Sequence, residues 1–242
     1  MTPLEHYAQH GWARLGPVAD EATLVTLRAR ADAIMLEGDP GYFFQRDSGT
    51  GAYDDLPRKQ GWTGPGLDYR KIEKLERDPA FATFIENPIF GEVARAVIGR
   101  GICLYRAVLF TKSAAGGTHL PWHQDGGSFW GLDKDPHLQI WTALDDVPEE
   151  SGCVEIVPGT HARGLATPLG GVIPDDVSQG VRGVLVPARA GESLLIHNYV
   201  WHRSGVNTTG RARRALTCCF ISADTRCVRK KRAPRTFRRV FG

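Results

Sequence analysis

The sequence predicts a mainly β chain with flanking helices, built as a jelly-roll barrel. Three observations predict it. Helical periodicity is confined to the first hundred residues. Six short apolar runs rich in β-branched and aromatic residues follow residue 102. Glycine- and proline-bearing turn signals separate those runs.

The first helix starts at Asp20, an N-cap type ahead of Leu24, Leu27, Ala31, Ile34 and Met35. Those apolar positions repeat every 3.6 residues, and Gly38-Asp39-Pro40-Gly41 stops the helix. Residues 45–69 hold Gly49, Gly51, Gly61, Gly64 and Gly66 and read as a long loop. Such loops in compact domains are substrate covers or simply mobile. A second helical stretch spans 79–98, broken near Asn87-Pro88 and closed by Gly99-Arg100-Gly101. Strands are expected at 102–112, 138–144, 154–157, 181–186, 193–197 and 215–222. Their turns are Gly116-Gly117, 148–152, Pro158-Gly159, Ala190-Gly191 and Thr209-Gly210. No linker splits the chain. It is expected to form one domain over 1–242: a helical part over about 1–100, a barrel over about 101–225 and a basic tail over 226–242.

A hydrophobic fraction of 42% over 242 residues is enough to bury a sizeable core. No run of 18 apolar residues occurs, so no membrane span is expected. The first twenty residues lack an apolar core, so no secretory leader is expected either. Cys103, Cys153, Cys218, Cys219 and Cys227 are odd in number and match no zinc or disulfide spacing. Reduced thiols in a cytoplasmic protein are the simplest reading.

The net charge of +3 conceals eight basic and no acidic residues over 226–242. Without them the remaining chain carries 22 basic and 27 acidic residues. A solvated or self-docked tail is the favoured reading, since one short basic tail is a weak sign of a nucleic-acid partner. Its charge could instead attract an anionic or carrier-bound small-molecule substrate.

The sharpest motif is Pro121-Trp122-His123-Gln124-Asp125-Gly126-Gly127. On an extended strand His123 and Asp125 point to one face. One imidazole and one carboxylate are two thirds of a facial triad, which leaves open positions on an iron(II). The third ligand lies in 191–205, where His197 and His202 both qualify by spacing. Arg213, eleven residues after His202, favours His202. An arginine near the start of the next strand can clamp the far carboxylate of a metal-bound 2-oxoglutarate. Ser204 can add a hydroxyl from the same face. Alternation sends one of Arg213 and Arg214 inward and the other to solvent.

Together with Trp122-His123-Gln124-Asp125, the stretch Ser151-Gly152-Cys153-Val154-Glu155-Ile156-Val157-Pro158-Gly159-Thr160-His161 and the stretch His202-Arg203-Ser204-Gly205-Val206-Asn207 resemble the phytanoyl-CoA dioxygenase family. Gly11-Trp12-Ala13-Arg14-Leu15 and Tyr69-Arg70-Lys71-Ile72 extend the resemblance toward the N-terminus. It implies a double-stranded β-helix, the cupin-like form of the jelly roll, with iron(II), 2-oxoglutarate and dioxygen. It implies His123, Asp125 and His202 as metal ligands. It implies Arg213, Ser204, Trp141 and Lys71 beside the co-substrate. The expected reaction hydroxylates an unactivated C–H bond of a small-molecule metabolite, releasing succinate and carbon dioxide. Desaturation, cyclisation and epimerisation use the same triad. Chlorination is not expected, because halogenating relatives replace the carboxylate that Asp125 retains. Phe129 and Trp130, just past the motif, are candidates for a substrate pocket. His161, in its Pro-Gly-Thr-His turn, reads as structural. A non-oxidative cupin-like metalloenzyme and a non-catalytic binding module are the alternatives.

Overall fold

A computed structural model describes residues 1–57, 61–230 and 235–242. The N-terminal part runs α1 (Pro3–His10), β1 (Trp12–Pro17), α2 (Glu21–Glu37), β2 (Phe43–Arg46), β3 (Tyr69–Glu73), α3 (Pro79–Ile85) and α4 (Pro88–Ile98). The barrel continues with β4 (Ile102–Lys112), β5 (Leu120–Gln124), β6 (Leu138–Ala143), β7 (Val154–Val157) and β8 (Gly171–Val172). It ends with α5 (Asp175–Ser178), β9 (Val184–Val186), β10 (Glu192–Ile196), β11 (Trp201–Ser204), β12 (Arg213–Ser222) and β13 (Arg238–Phe241).

All strand pairs are antiparallel and form two sheets. The larger has the order β1-β10-β6-β12-β4-β3-β2, with β13 also on β4; the smaller has the order β8-β5-β11-β7-β9. This is the double-stranded β-helix. β12 is central and buried on both faces. Leu216, Cys218 and Phe220 face the helices, while Arg213, Ala215 and Thr217 face the barrel interior. That two-sided burial explains why 215–222 reads as a continuous apolar run rather than an alternation.

α2 forms where its periodicity predicts. The Asp20 carboxylate accepts the Thr23 N–H at 2.9 Å, and Leu24, Leu27, Ala31, Ile34 and Met35 pack into the core against the large sheet. α3 and α4 break at Asn87, whose side chain caps α4 ahead of Pro88 at its first turn.

The first hundred residues are not purely helical, however. β1 and β2 are the short edge strands of the large sheet, and β3 pairs between β2 and β4. β1 carries Gly16 and Pro17 and a register shift, which hide its alternation. The strand expected at 181–186 narrows to β9, after Gly183. The tail docks on the body: β13 pairs β4, Arg238 pairs Glu86, and the Phe241 ring lies 5.8 Å from Phe220. Positions 231–234 of that tail, like 58–60 of the glycine-rich loop, lie outside the described residues. No helix among the described residues is long and apolar enough to cross a membrane.

Gly152 joins the two sheets at a tight point. Its φ is +70°, and a Cβ there would lie 2.2 Å from the Gly205 carbonyl oxygen. Gly152→Ala is expected to lower stability by more than about 2 kcal/mol. A thermal midpoint unchanged from wild type would contradict the predicted clash.

Candidate active site

β5 and β11 lie side by side with His123 opposite His202, and their rings are 4.0 Å apart between centroids. Asp125 follows β5 with its N–H donating to the Asn198 carbonyl at 2.8 Å, while Asn198 Nδ2 donates back to the Asp125 carbonyl at 2.8 Å. This clamp holds the carboxylate against the two rings. One ligand atom from each of His123, Asp125 and His202 lies within 4.8 Å of the others. No other such group of histidine, cysteine or acidic side chains occurs among the described residues.

Both Nδ1 atoms face backbone carbonyls, that of Pro121 for His123 and that of Val200 for His202, each at 2.9 Å. A carbonyl only accepts, so each Nδ1 carries a proton and each Nε2 is the ring nitrogen turned toward the site. His202 Nε2 lies 3.6 Å from Asp125 Oδ2. Two imidazole nitrogens and a carboxylate converging at that range are donor types that a divalent transition metal takes. The donor set therefore fits a divalent metal.

Burial, with the His202 ring next to it, pushes His123 down to about 3, so it stays neutral and free to ligate at physiological pH. Burial would raise the Asp125 carboxyl, but His202, Arg106 and His123 hold it well below the usual carboxylate range. Its Oδ2 also accepts from Gln139 Nε2 at 2.8 Å.

His197 sits elsewhere. Its ring stacks on His137 at 4.9 Å, and its Nδ1 accepts the Tyr199 N–H at 3.0 Å. His161 packs on the other side of His197, with centroids 5.0 Å apart, and lies away from the triad.

The triad opens into a cavity of about 320 Å3, of the size that small-molecule sites occupy. Arg213, Ser204, Trp141 and Lys71 all line it. Arg213 is 4% exposed and donates from Nε to the Ser151 carbonyl at 3.2 Å and from Nη2 to the Gly152 carbonyl. Arg214 faces the other way, ion-paired with Asp145 at 2.9 Å and Asp32 at 2.6 Å. Lys71 is paired with Glu73. Phe129 stands at the cavity rim, 66% exposed, whereas Trp130 is buried, stacked on Tyr105 at 4.9 Å. Gln45, Tyr53 and Leu56 bring the glycine-rich loop onto the cavity, and Gly171 and Val172 close another side.

Several cavity residues were not singled out from the sequence. Arg70, Arg106 and Lys112 are the cations among them, and Gln139 and Asn198 hold Asp125. Arg106 and Lys112 did carry a signal, as charges within the otherwise apolar run 102–112.

The sequence profile of the phytanoyl-CoA dioxygenase (PhyH) family matches residues 7–215. The chain belongs to that family. It is thereby an iron(II)- and 2-oxoglutarate-dependent oxygenase. A zebrafish (Danio rerio) relative, phytanoyl-CoA dioxygenase domain-containing protein 1, is 26% identical over 81% of this chain and 70% of its own length. The L-proline trans-4-hydroxylase of Streptomyces griseoviridis is 23% identical over 88% of this chain and 83% of its own. Among solved structures, the epimerase SnoN in complex with Fe3+, alpha ketoglutarate and nogalamycin RO superposes with a TM-score of 0.72. It is 19% identical over 95% of this chain and 86% of its own. That likeness supports the PhyH member's fold.

Proposed function

We propose that this PhyH-family chain hydroxylates an unactivated C–H bond of a small secondary or lipid-like metabolite. His123 Nε2, a carboxylate oxygen of Asp125 and His202 Nε2 would hold the iron(II). The observation that carries this reading is the convergence of His123, Asp125 and His202, with each ring's Nδ1 turned onto a backbone carbonyl. With iron(II) and 2-oxoglutarate bound, the site supplies an oxidant from dioxygen and releases succinate and carbon dioxide. The protein's own part is placement. Arg213 and Ser204 receive the far carboxylate, Trp141 and Lys71 flank the co-substrate, and Phe129 and Trp130 stand on the substrate side. Gln139 and Asn198 keep Asp125 in position. Unpaired cysteines support a reducing, cytoplasmic setting.

Epimerisation or ring closure is the second reading, because solved neighbours include the epimerase SnoN and the carbocyclase SnoK. The tail's arginines argue against a carrier-bound substrate recognised there. Arg238 is ion-paired with Glu86, and Arg235 lies over Tyr105, 5.0 Å from its ring centroid. The deciding experiment measures oxygen-dependent conversion of 2-oxoglutarate to succinate by the iron-loaded protein. Turnover that requires both iron(II) and dioxygen is expected; turnover with zinc alone would indicate a non-oxidative enzyme.

Lys112 adds a proton-linked prediction. Burial and the charges of Arg213 and Arg70 push its ammonium down to about 6, so at pH 7.5 it is mostly neutral. A dianion arriving beside Arg213 favours the charged form and raises that value. Binding of 2-oxoglutarate is therefore expected to take up a proton near pH 7.5 and to weaken as pH rises further. Calorimetry in buffers of different ionisation heat reads the uptake; equal heats in both buffers would contradict it.

A further inference from the structure

The cavity is lined by six basic side chains, Arg70, Lys71, Arg106, Lys112, Arg203 and Arg213, against the single carboxylate of Asp125. Most are already engaged. Arg203 pairs with Glu155 at 2.7 Å, Lys71 with Glu73, and Arg70 donates to Gln45 Oε1 at 2.6 Å. Lys112 donates to the Thr118 carbonyl, and Arg213 belongs to the co-substrate end.

Arg106 is different. Its guanidinium lies over Trp130, 4.2 Å from the ring centroid. Its Nε is a buried donor with no partner, and its sole ion pair among the described residues is Nη2 to Asp125 Oδ1 at 3.5 Å. With Asp125 sharing its charge with a metal and Glu73 paired to Lys71, the Nε of this guanidinium stays without a partner and its fork is incompletely used.

The backbone aims Arg106 into the cavity by a bulge. Cys219 pairs with Arg106 and Phe220 with Leu104, so Tyr105 is an extra residue in β4. Leu104 and Ala107 therefore both face the helices, and Arg106 turns inward with Phe110 and Lys112. Bulges beside sites re-aim side chains in this way. Arg106 and Lys112 stand six residues apart on β4, about 20 Å of strand. Lys112 is the register partner of Arg213. Arg106 thus lies at the opposite end of the cavity from the co-substrate's far carboxylate.

We propose that Arg106 anchors the primary substrate through an oxyanion, a carboxylate or phosphate, which its planar fork binds in two-point fashion. This rests on the reading of the triad as the iron and 2-oxoglutarate site. Because Arg106 touches the Asp125 carboxylate, an oxyanion held on its fork lies beside the triad. The C–H bond that reacts is then near the oxyanion along the substrate. Phe129, Leu169 and Val172, 66%, 60% and 42% exposed, form an apolar rim beside the site that suits an apolar body on the same substrate.

The test uses the anaerobic iron(II)–2-oxoglutarate complex, with 2-oxoglutarate saturating so that Arg213 is occupied. Phenylacetate, phenyl phosphate and the neutral phenylacetamide are titrated calorimetrically into wild type, Arg106→Gln and Arg106→Lys. Wild type is expected to prefer at least one anion over the amide by about tenfold or more. Arg106→Gln should lose that preference, Arg106→Lys should keep part of it, and both should bind 2-oxoglutarate within about twofold of wild type. Which anion is preferred separates a carboxylate from a phosphate substrate. No preference in wild type, or one that survives in Arg106→Gln, overturns the assignment. Loss of 2-oxoglutarate from Arg106→Gln places Arg106 on the co-substrate and also overturns it. If Arg106→Gln does not fold, Arg106→Lys decides, and an undiminished preference there counts against the two-point fork. Failure of wild type to take up iron(II) and 2-oxoglutarate at all sinks the underlying reading of the triad instead.

Discussion

His202→Ala is expected to weaken iron(II) binding by more than about 100-fold, beyond the loss that follows removal of an outer-shell partner. Turnover should vanish with it. The ring is one of three groups meeting at the candidate centre, and its removal leaves Asp125 and His123 as an incomplete set. His197→Ala is the matched control. His197 stacks on His137, packs at a tilt against His161 and lies outside the triad, so that variant should bind iron(II) as wild type does while losing some stability. Burial pushes His197 down to about 3, so it contributes no charge to the site at neutral pH. Equilibrium dialysis of iron(II) under anaerobic conditions, with thermal unfolding in parallel, separates ligation from packing. Loss of iron from His197→Ala with retention in His202→Ala would reverse the assignment.

Arg213→Ala is expected to raise the KM for 2-oxoglutarate by about 30-fold or more, equivalent to about 2 kcal/mol for a buried charged contact. Arg213 is buried, and although burial lowers it to about 10 it remains charged at neutral pH. Its removal also strips the Ser151 and Gly152 carbonyls of their donors, so a stability loss is expected as well. Arg214→Ala removes an equal charge one residue away. It breaks ion pairs to Asp145 and Asp32 and should lower stability, yet leave the KM within about twofold. Steady-state kinetics with 2-oxoglutarate as the varied substrate distinguishes the two. Equal KM effects would remove Arg213 from its role.

Much of the barrel was legible because strand periodicity is local. His123 and Asp125 share a face by their spacing of two, as do His202 and Ser204, and the structure places all four around one cavity. The choice between His197 and His202 was not local. β10 ends at Ile196 and a turn intervenes before β11, so no periodicity carries across. The same limit hid Arg106. Strict alternation in 102–112 groups it with Leu104, and only the bulge at Tyr105 separates them. Gln139 and Asn198 support Asp125 across 14 and 73 residues of sequence, through contacts that strand pairing alone creates. β1, β2 and β3 fell outside the expected strands because they are only four to six residues long, and β1 carries glycine and proline. The basic tail, expected to be solvated or self-docked, does dock, as a strand on β4 with Phe241 against Phe220.

The most direct test is a crystal structure of the anaerobic protein with iron(II) and 2-oxoglutarate. One ion is predicted about 2.0–2.2 Å from His123 Nε2, His202 Nε2 and an Asp125 oxygen, with the far carboxylate of 2-oxoglutarate on Arg213 and Ser204. An ion bound by other side chains, or a co-substrate whose far end lies away from Arg213, would contradict it.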